Sequence, residues 1–364
     1  MKLQLLGNLT PRAFLQRHWQ KRPLFVRRAI PGFRGMGGGL RDLQTLFALA
    51  ARDDVESRMV QRRGRRWNTV HGPFRKRMAL RKRDATLLVS GVNLHLRAAD
   101  RLLRRFDFIP QARLDDVMVS WATPGGGVGP HVDSYDVFLL QGLGRRRWRT
   151  WFPNGAFHRE FVADQGDLLY LPPGWKHDGV ALEACTTYSI GFRAPRGVEL
   201  CAAFLDWLHE RGLPDARYGD AGLKPATDGA AIPRGMLLFS EKILKKISWR
   251  RKDVALFLGE YLSAPKPHVV FRPVRRHGSL SRSTLHLDPK TQLLHSSGRF
   301  FINGESFAPA RRAAATLREL ADRRSIRGER LAGGPLAGLI SEWLRAGYAH
   351  LERPQRQVGP NDGP

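Results

Sequence analysis

The sequence predicts an antiparallel β-barrel or jelly roll, then a helical region, then a closing module of short strands and helices. Three observations carry this expectation. From Val117 onward, short β-prone runs alternate with turns rich in Gly and Pro. After Pro195 the apolar residues take helical spacing, and beyond Pro265-Lys266-Pro267 short strands mix with one clear helix. A chain of 364 residues with 42% hydrophobic content is long enough for two or three domains with real cores.

Thr10-Pro11 predicts a short helix, Thr10 at the N-cap and Pro11 at its first position, with Phe14, Leu15 and His18-Trp19 following and Pro23 ending it. Leu24-Phe25-Val26 reads as a strand. Gly35 to Gly39 forms a turn before a helix over Arg41 to Ala51, where Leu43, Leu46, Phe47 and Ala50 fall at i, i+3, i+4 and i+7. The barrel strands are expected at Val117–Trp121, His131–Leu140, Arg147–Phe152, Leu168–Leu171 and Thr187–Phe192. A helix over Leu200–Arg211, a linker over Gly219–Pro233 and a helical pair over Met236–Ile247 and Asp253–Leu262 come next. That pair carries more apolar residues than its own packing needs, which fits either a dimer interface or packing onto the barrel. Leu285–Leu287, Gln292–Leu294 and Phe300–Ile302 read as strands with turns at Asp288-Pro289 and Asn303-Gly304. A helix opened by Pro335 carries Leu336, Leu339, Ile340, Trp343 and Leu344 on one face and stops at Gly347, so this end is winged-helix-like. The tail from Gln355 is polar and expected to be disordered.

Sixty-one basic against 33 acidic residues give a net charge of +28, a field that attracts polyanions, RNA foremost. The basic residues cluster at Arg62, Arg63, Arg65 and Arg66 beside Trp67, at Arg75 to Arg83, and around Trp249. No apolar stretch approaches the roughly 20 residues that span a membrane. The N-terminus lacks a long apolar core followed by a cleavage site and reads as the start of a folded protein. The two cysteines, Cys185 and Cys201, have no metal-type spacing, as expected in a reducing compartment, and the expected location is cytoplasmic.

The chemistry is concentrated in His131-Val132-Asp133 and in His177, within Leu171-Pro172-Pro173-Gly174-Trp175-Lys176-His177-Asp178-Gly179. Two imidazoles and one carboxylate can hold one face of an octahedral metal and leave the other face open, the ligand set of non-haem Fe(II) oxygenases. Side chains two apart in a strand point the same way, so His131 and Asp133 can share a metal, with His177 supplied by a distant strand. Asp136 should face away from the metal. Asp167 should cap the turn before its strand. Asp178 is either a substrate contact or a turn residue, and His71 and His158 read as surface histidines.

The run from Gly129-Pro130-His131 through Gly142, with Gly144-Arg145-Arg146-Arg147-Trp148, Gly166-Asp167-Leu168-Leu169-Tyr170-Leu171-Pro172-Pro173-Gly174 and Gly191-Phe192-Arg193-Ala194-Pro195, resembles the JmjC-type cupin oxygenases, and among them the bacterial ribosomal oxygenases. The resemblance includes Phe14-Leu15 and Trp19 to Leu24 and covers nearly the whole chain. It implies a double-stranded β-helix domain over residues 1–199, a helical dimerisation region over 200–266 and a winged-helix-like domain over 267–354, before the tail 355–364. It further implies Fe(II) held by His131, Asp133 and His177 as the catalytic and metal residues, with 2-oxoglutarate and O₂ as co-substrates. Arg146 matches the family's arginine for the far carboxylate of 2-oxoglutarate, and Ser120 on the neighbouring strand is a second candidate for it. A planar, permanently charged fork suits that task. The implied activity is hydroxylation of an arginine in a large-subunit ribosomal protein, by a homodimer for which contact with ribosomal RNA is also expected. One departure is the segment between Trp148 and Gly166, shorter than in the bacterial ribosomal oxygenases, which leaves substrate identity less fixed than reaction type. A demethylase of another basic protein and a non-catalytic RNA- or ribosome-binding cupin remain open at this point.

Overall fold

The computed structural model describes residues 5–36, 40–75, 83–274 and 278–352. The basic residues Lys76, Arg77, Arg81 and Lys82, the glycines at 37–39 and the tail from Gln355 lie outside the described residues. In chain order the first elements are α1 (Pro11–Arg17), β1 (Leu24–Val26), α2 (Leu40–Ala50), β2 (Ser57–Arg63), β3 (Arg66–His71), β4 (Ala85–Val89) and α3 (Arg97–Leu103). Eight strands follow: β5 (Leu114–Ala122), β6 (His131–Val132), β7 (Val137–Gln141), β8 (Arg146–Trp151), β9 (Phe157–Ala163), β10 (Leu168–Leu171), β11 (Lys176–Ala181) and β12 (Cys185–Phe192). Then come α4 (Gly197–Glu210), α5 (Arg234–Leu244), α6 (Arg251–Ser263), β13 (Thr284–Leu287), β14 (Leu293–Ser296), β15 (Arg299–Ile302), β16 (Glu305–Phe307), α7 (Ala314–Arg323), β17 (Ser325–Arg327), α8 (Ala337–Ala346) and β18 (Ala349–Glu352).

Strands β5 to β12 form the double-stranded β-helix. One sheet runs β10-β7-β12-β5 and the other β6-β11-β8-β9, all antiparallel. Alternation along β7 shows how the layers divide. Val137 and Leu139 meet Trp148, Phe161 and Ala163 of the other sheet, while Phe138 and Leu140 turn outward to Phe14, Phe106 and Phe192. Helix α1 closes that outer core. Thr10 caps it by accepting from the Ala13 N–H at 3.1 Å, and Phe14 is fully buried. The helix stops at Arg17, before Pro23 is reached.

The first sheet is longer than the sequence pattern predicts. β1 is added beside β10, and β4, β2 and β3 extend the other side beyond β5. The basic run at Arg62–Arg66 is therefore the tip of the β2–β3 hairpin, with β3 at the sheet edge. A second difference concerns His131 to Leu140, expected as one strand. It is broken into β6, which pairs His131 with His177, and β7, with Asp133 to Asp136 as the loop between them.

The chain folds into two compact units. The first comprises residues 1–194, 265–291 and 323–364, and so joins the β-helix to the sheet β17-β13-β18 and α8. Gly347, at φ +79, caps α8 in the left-handed region. The second comprises 195–264 and 292–322. There α6 lies so close to the sheet β14-β15-β16 that a Cβ on Gly259 would sit 2.3 Å from the Phe301 ring, and Asn303-Gly304 turns β15 into β16 with both φ positive.

Candidate metal centre

His131, Asp133 and His177 converge. Their ligand atoms all lie within 4.8 Å of one another, and among the described residues no other group of three or more His, Cys, Asp or Glu side chains does this. Strand pairing explains the approach: His131 and His177 are direct cross-strand partners, with ring centroids 4.2 Å apart. Asp133, in the loop just past β6, places its two oxygens 3.9 Å from His131 Nε2 and 3.6 Å from His177 Nε2. The tautomers are set from behind. His131 Nδ1 lies 3.0 Å from the Gly129 carbonyl and His177 Nδ1 lies 3.0 Å from the Trp175 carbonyl. An imidazole nitrogen facing a carbonyl must carry the proton, which leaves each Nε2 as a lone-pair donor toward the shared point. Burial, and then the neighbouring His131, holds His177 below its ordinary pKa, so that it stays neutral as a ligand must.

A cavity of about 680 Å³ opens on this triad and is lined by all five residues singled out in the sequence, Ser120 and Arg146 included. Arg146 projects inward from β8 and is only 4% exposed. Its Nη2 has a weak contact to Cys185 Sγ at 3.7 Å, its Cζ lies 5.5 Å from the Trp148 ring centroid, and its buried Nε has no hydrogen-bond partner. A buried guanidinium without a carboxylate is costly unless an anion joins it. The donor set thus fits a divalent transition metal of mixed nitrogen and oxygen ligation, and Arg146 fits an anionic co-ligand. Ser120 stands on β5 opposite Thr187 of β12, which lines the same cavity.

The minor expectations separate cleanly. Asp136 faces away from the triad, where it accepts hydrogen bonds from Tyr170 Oη at 2.6 Å and Gln20 Nε2 at 3.1 Å. Asp167 caps its turn, accepting from the Asp164 and Arg28 N–H groups. Asp178 is in strand β11 and not in a turn. His158 is no free surface histidine, because the β8–β9 hairpin folds it against Thr150 Oγ1 at 3.0 Å and between Phe152 and Trp175. His71 is exposed on β3 at the cavity wall.

Two features are not apparent from the sequence. Asp116 lies in the cavity with its carboxylate accepting from the Gly91 N–H at 2.8 Å, and no basic group stands within ion-pair distance of it among the described residues. Burial pushes its pKa up. Its signal is faint, one acid in Asp115-Asp116 at the start of a strand. Trp67 packs on the glycine turn before His131. Gly129 has φ +82, and a Cβ there would lie 2.7 Å from Trp67 Nε1, while one on Gly127 would lie 2.5 Å from the Gly179 carbonyl oxygen. The indole of β3 therefore presses on the residue whose carbonyl orients His131. Trp67→Ala is expected to weaken cobalt binding about 10–100-fold, as loss of an outer-sphere support does, while Trp67→Phe keeps most of it. Cobalt titration followed by visible absorption measures this, and equal affinity in all three proteins would remove Trp67 from the argument.

A double-stranded β-helix that brings a His-x-Asp and a distant His together is the arrangement of the non-haem metal oxygenases. Residues 101–200 match the JmjC domain family, and residues 246–350 match the ROXA-like winged helix. The Escherichia coli ribosomal protein uL16 3-hydroxylase is 36% identical over 277 residues, 71% of this chain and 73% of that protein. The E. coli ribosomal oxygenase YcfD superposes with a TM-score of 0.80 at 31% identity, over 95% of this chain and 98% of that one. Its complex with cobalt and 2-oxoglutarate superposes with a TM-score of 0.79 at 30% identity, over 95% and 99%. The chain belongs to the ribosomal oxygenase family of JmjC-domain proteins.

Proposed function

We propose that this protein is an Fe(II)- and 2-oxoglutarate-dependent dioxygenase that hydroxylates an arginine side chain of a large-subunit ribosomal protein. The observation that carries this is the single cavity in which the triad, with both Nε2 atoms freed, faces a buried guanidinium lacking an anion. His131, Asp133 and His177 would hold the metal. Arg146, helped by the Ser120 hydroxyl, holds the far carboxylate of 2-oxoglutarate and so fixes its orientation. Iron bound with 2-oxoglutarate and O₂ supplies the oxidising power that exchanges a C–H for a C–OH bond, with succinate and CO₂ as by-products. Trp148, Val137 and Leu139 supply the apolar part of the cavity wall. Asp116, on the cavity wall, offers a carboxyl group to which a substrate guanidinium would donate. In a protein of net charge +28, an acid on the wall of the cavity that holds the triad favours a guanidinium over other side chains.

The same reading includes a homodimer built on α5, contact with ribosomal RNA and a cytoplasmic site of action. No helix among the described residues is long and apolar enough to cross a membrane. Intact masses of ribosomal proteins from cells with and without the gene test the function. One large-subunit protein should be heavier by one oxygen when the gene is present, with the oxygen on an arginine in fragment spectra. Identical masses throughout would overturn the assignment, and loss of methyl groups in place of a gained oxygen would point to demethylation.

A further inference from the structure

A second concave site lies away from the triad, where Arg97 to Arg105 meet β13, the start of β17 and β18 in the first unit. The cavity measures about 690 Å³ and is lined by six arginines against two acids, Asp100 and Glu352. Both acids are already engaged, Asp100 with Arg104 at 3.0 Å and Glu352 with Arg97 at 3.0 Å. Arg101 and Arg105 are exposed and have no carboxylate partner among the described residues. Arg324 is the least compensated. It is 6% exposed and held at φ +58, and its Nη atoms donate to the Thr291 and Asp288 carbonyls at 2.9 and 2.7 Å. Its Nε has no partner, and among the described residues no carboxylate lies within ion-pair distance. Burial, and then the charge of Arg104, pushes its pKa down to about 9. Two guanidiniums that repel each other in a partly enclosed space are stabilised by an anion placed between them.

Two histidines in the same lining narrow the kind of anion. His286 and His350 are cross-strand partners on β13 and β18, stacked with centroids 5.6 Å apart and planes 11° apart. Burial holds both below their ordinary pKa, His350 at about 4, so at neutral pH they present a flat uncharged surface and no further cation. Guanidiniums that take phosphate beside an aromatic face that takes a base are the two halves of single-strand recognition. A volume of this size sits in the usual range for ligand pockets.

We propose that this cavity binds the phosphate groups of single-stranded RNA. The proposal deepens the reading of a ribosome-directed protein and rests on it for the kind of polyanion met. Its test uses no catalysis, so the two can fail separately. The full chain is titrated against a fluorescently labelled oligouridylate by anisotropy over a series of salt concentrations. Arg101→Glu/Arg105→Glu, both exposed and remote from the triad, should weaken binding at least about tenfold. It should also flatten the log–log salt slope by about 1.4, roughly 0.7 for each of two lost phosphate contacts. Arg63→Glu/Arg65→Glu at the tip of the β2–β3 hairpin removes equal charge elsewhere and should leave affinity within about twofold of wild type. Unchanged circular dichroism and melting temperature show that each variant is folded. The proposal is overturned if the cavity pair binds RNA as wild type does, or if the hairpin pair causes the same loss. It is also overturned if inorganic tripolyphosphate or a poly-glutamate peptide binds this cavity and RNA does not, which would identify a free anion or an acidic protein as the ligand.

Discussion

Asp133→Ala and His131→Ala are each expected to fold normally, to lose metal, and to release no succinate from 2-oxoglutarate. Asp133 supplies the only negative charge in the triad. Without it, two imidazoles 4.2 Å apart would have to hold a divalent cation alone. The fall in affinity should exceed the roughly 10–100-fold that accompanies loss of an outer-sphere partner. The fold should tolerate the change, because the Asp133 side chain is 21% exposed and sits in the loop after β6, outside the packed clusters. Cobalt titration and succinate detection by NMR give the two readouts. Succinate release that persists in either variant would remove the triad from the chemistry.

Leu244→Asp is expected to convert a dimer into a monomer while leaving metal affinity unchanged. No residue of α5 is buried. Leu237, Leu238 and Leu244 are 56%, 53% and 64% exposed, and Leu237 and Leu244, seven residues apart, share a helix face. The proposed dimer would cover this apolar excess with a second copy of the chain. A contiguous apolar patch of this kind is worth burying at about 25 cal/mol per Å², and a second copy of the chain presents the same patch. A charge at Leu244 would have to be desolvated without a partner in the dimer, costing several kcal/mol by order of magnitude. Size-exclusion with light scattering on both proteins decides the matter, and a monomeric wild type would refute the dimer.

The legibility of the chain followed burial. The barrel strands with both faces covered, such as Leu168–Leu171, stood out as apolar runs between Gly and Pro turns. The caps at Thr10 and Gly347 and the turn at Asn303-Gly304 were legible because each is a local conformational demand that few residues meet. The β2–β3 hairpin was not, because Arg62 to Arg66 overlays its strand pattern with charge and most of β3 is exposed. β9 failed similarly, since Phe157, Arg159 and Glu160 are exposed and show no apolar alternation. At the site, His131, Asp133, His177, Arg146 and Ser120 were named from sequence and share one cavity. Asp116 and Trp67 were missed, because their importance arises from strands distant in sequence. Neither carries a local motif.

The glycine turn ahead of His131 bears on how the protein meets its metal. Gly125 and Gly129 hold left-handed φ values, and Gly126 and Gly127 have neighbouring carbonyl oxygens where a Cβ would stand. Backbone hydrogen bonds join the turn to Ala181 in both directions. A loop so confined by its surroundings has little freedom left to lose when an ion arrives. Loading should therefore resemble filling a finished socket, unlike zinc modules whose chain orders only around the metal. The ion could then be exchanged without the protein unfolding, and its contribution to thermal stability should follow its free concentration alone.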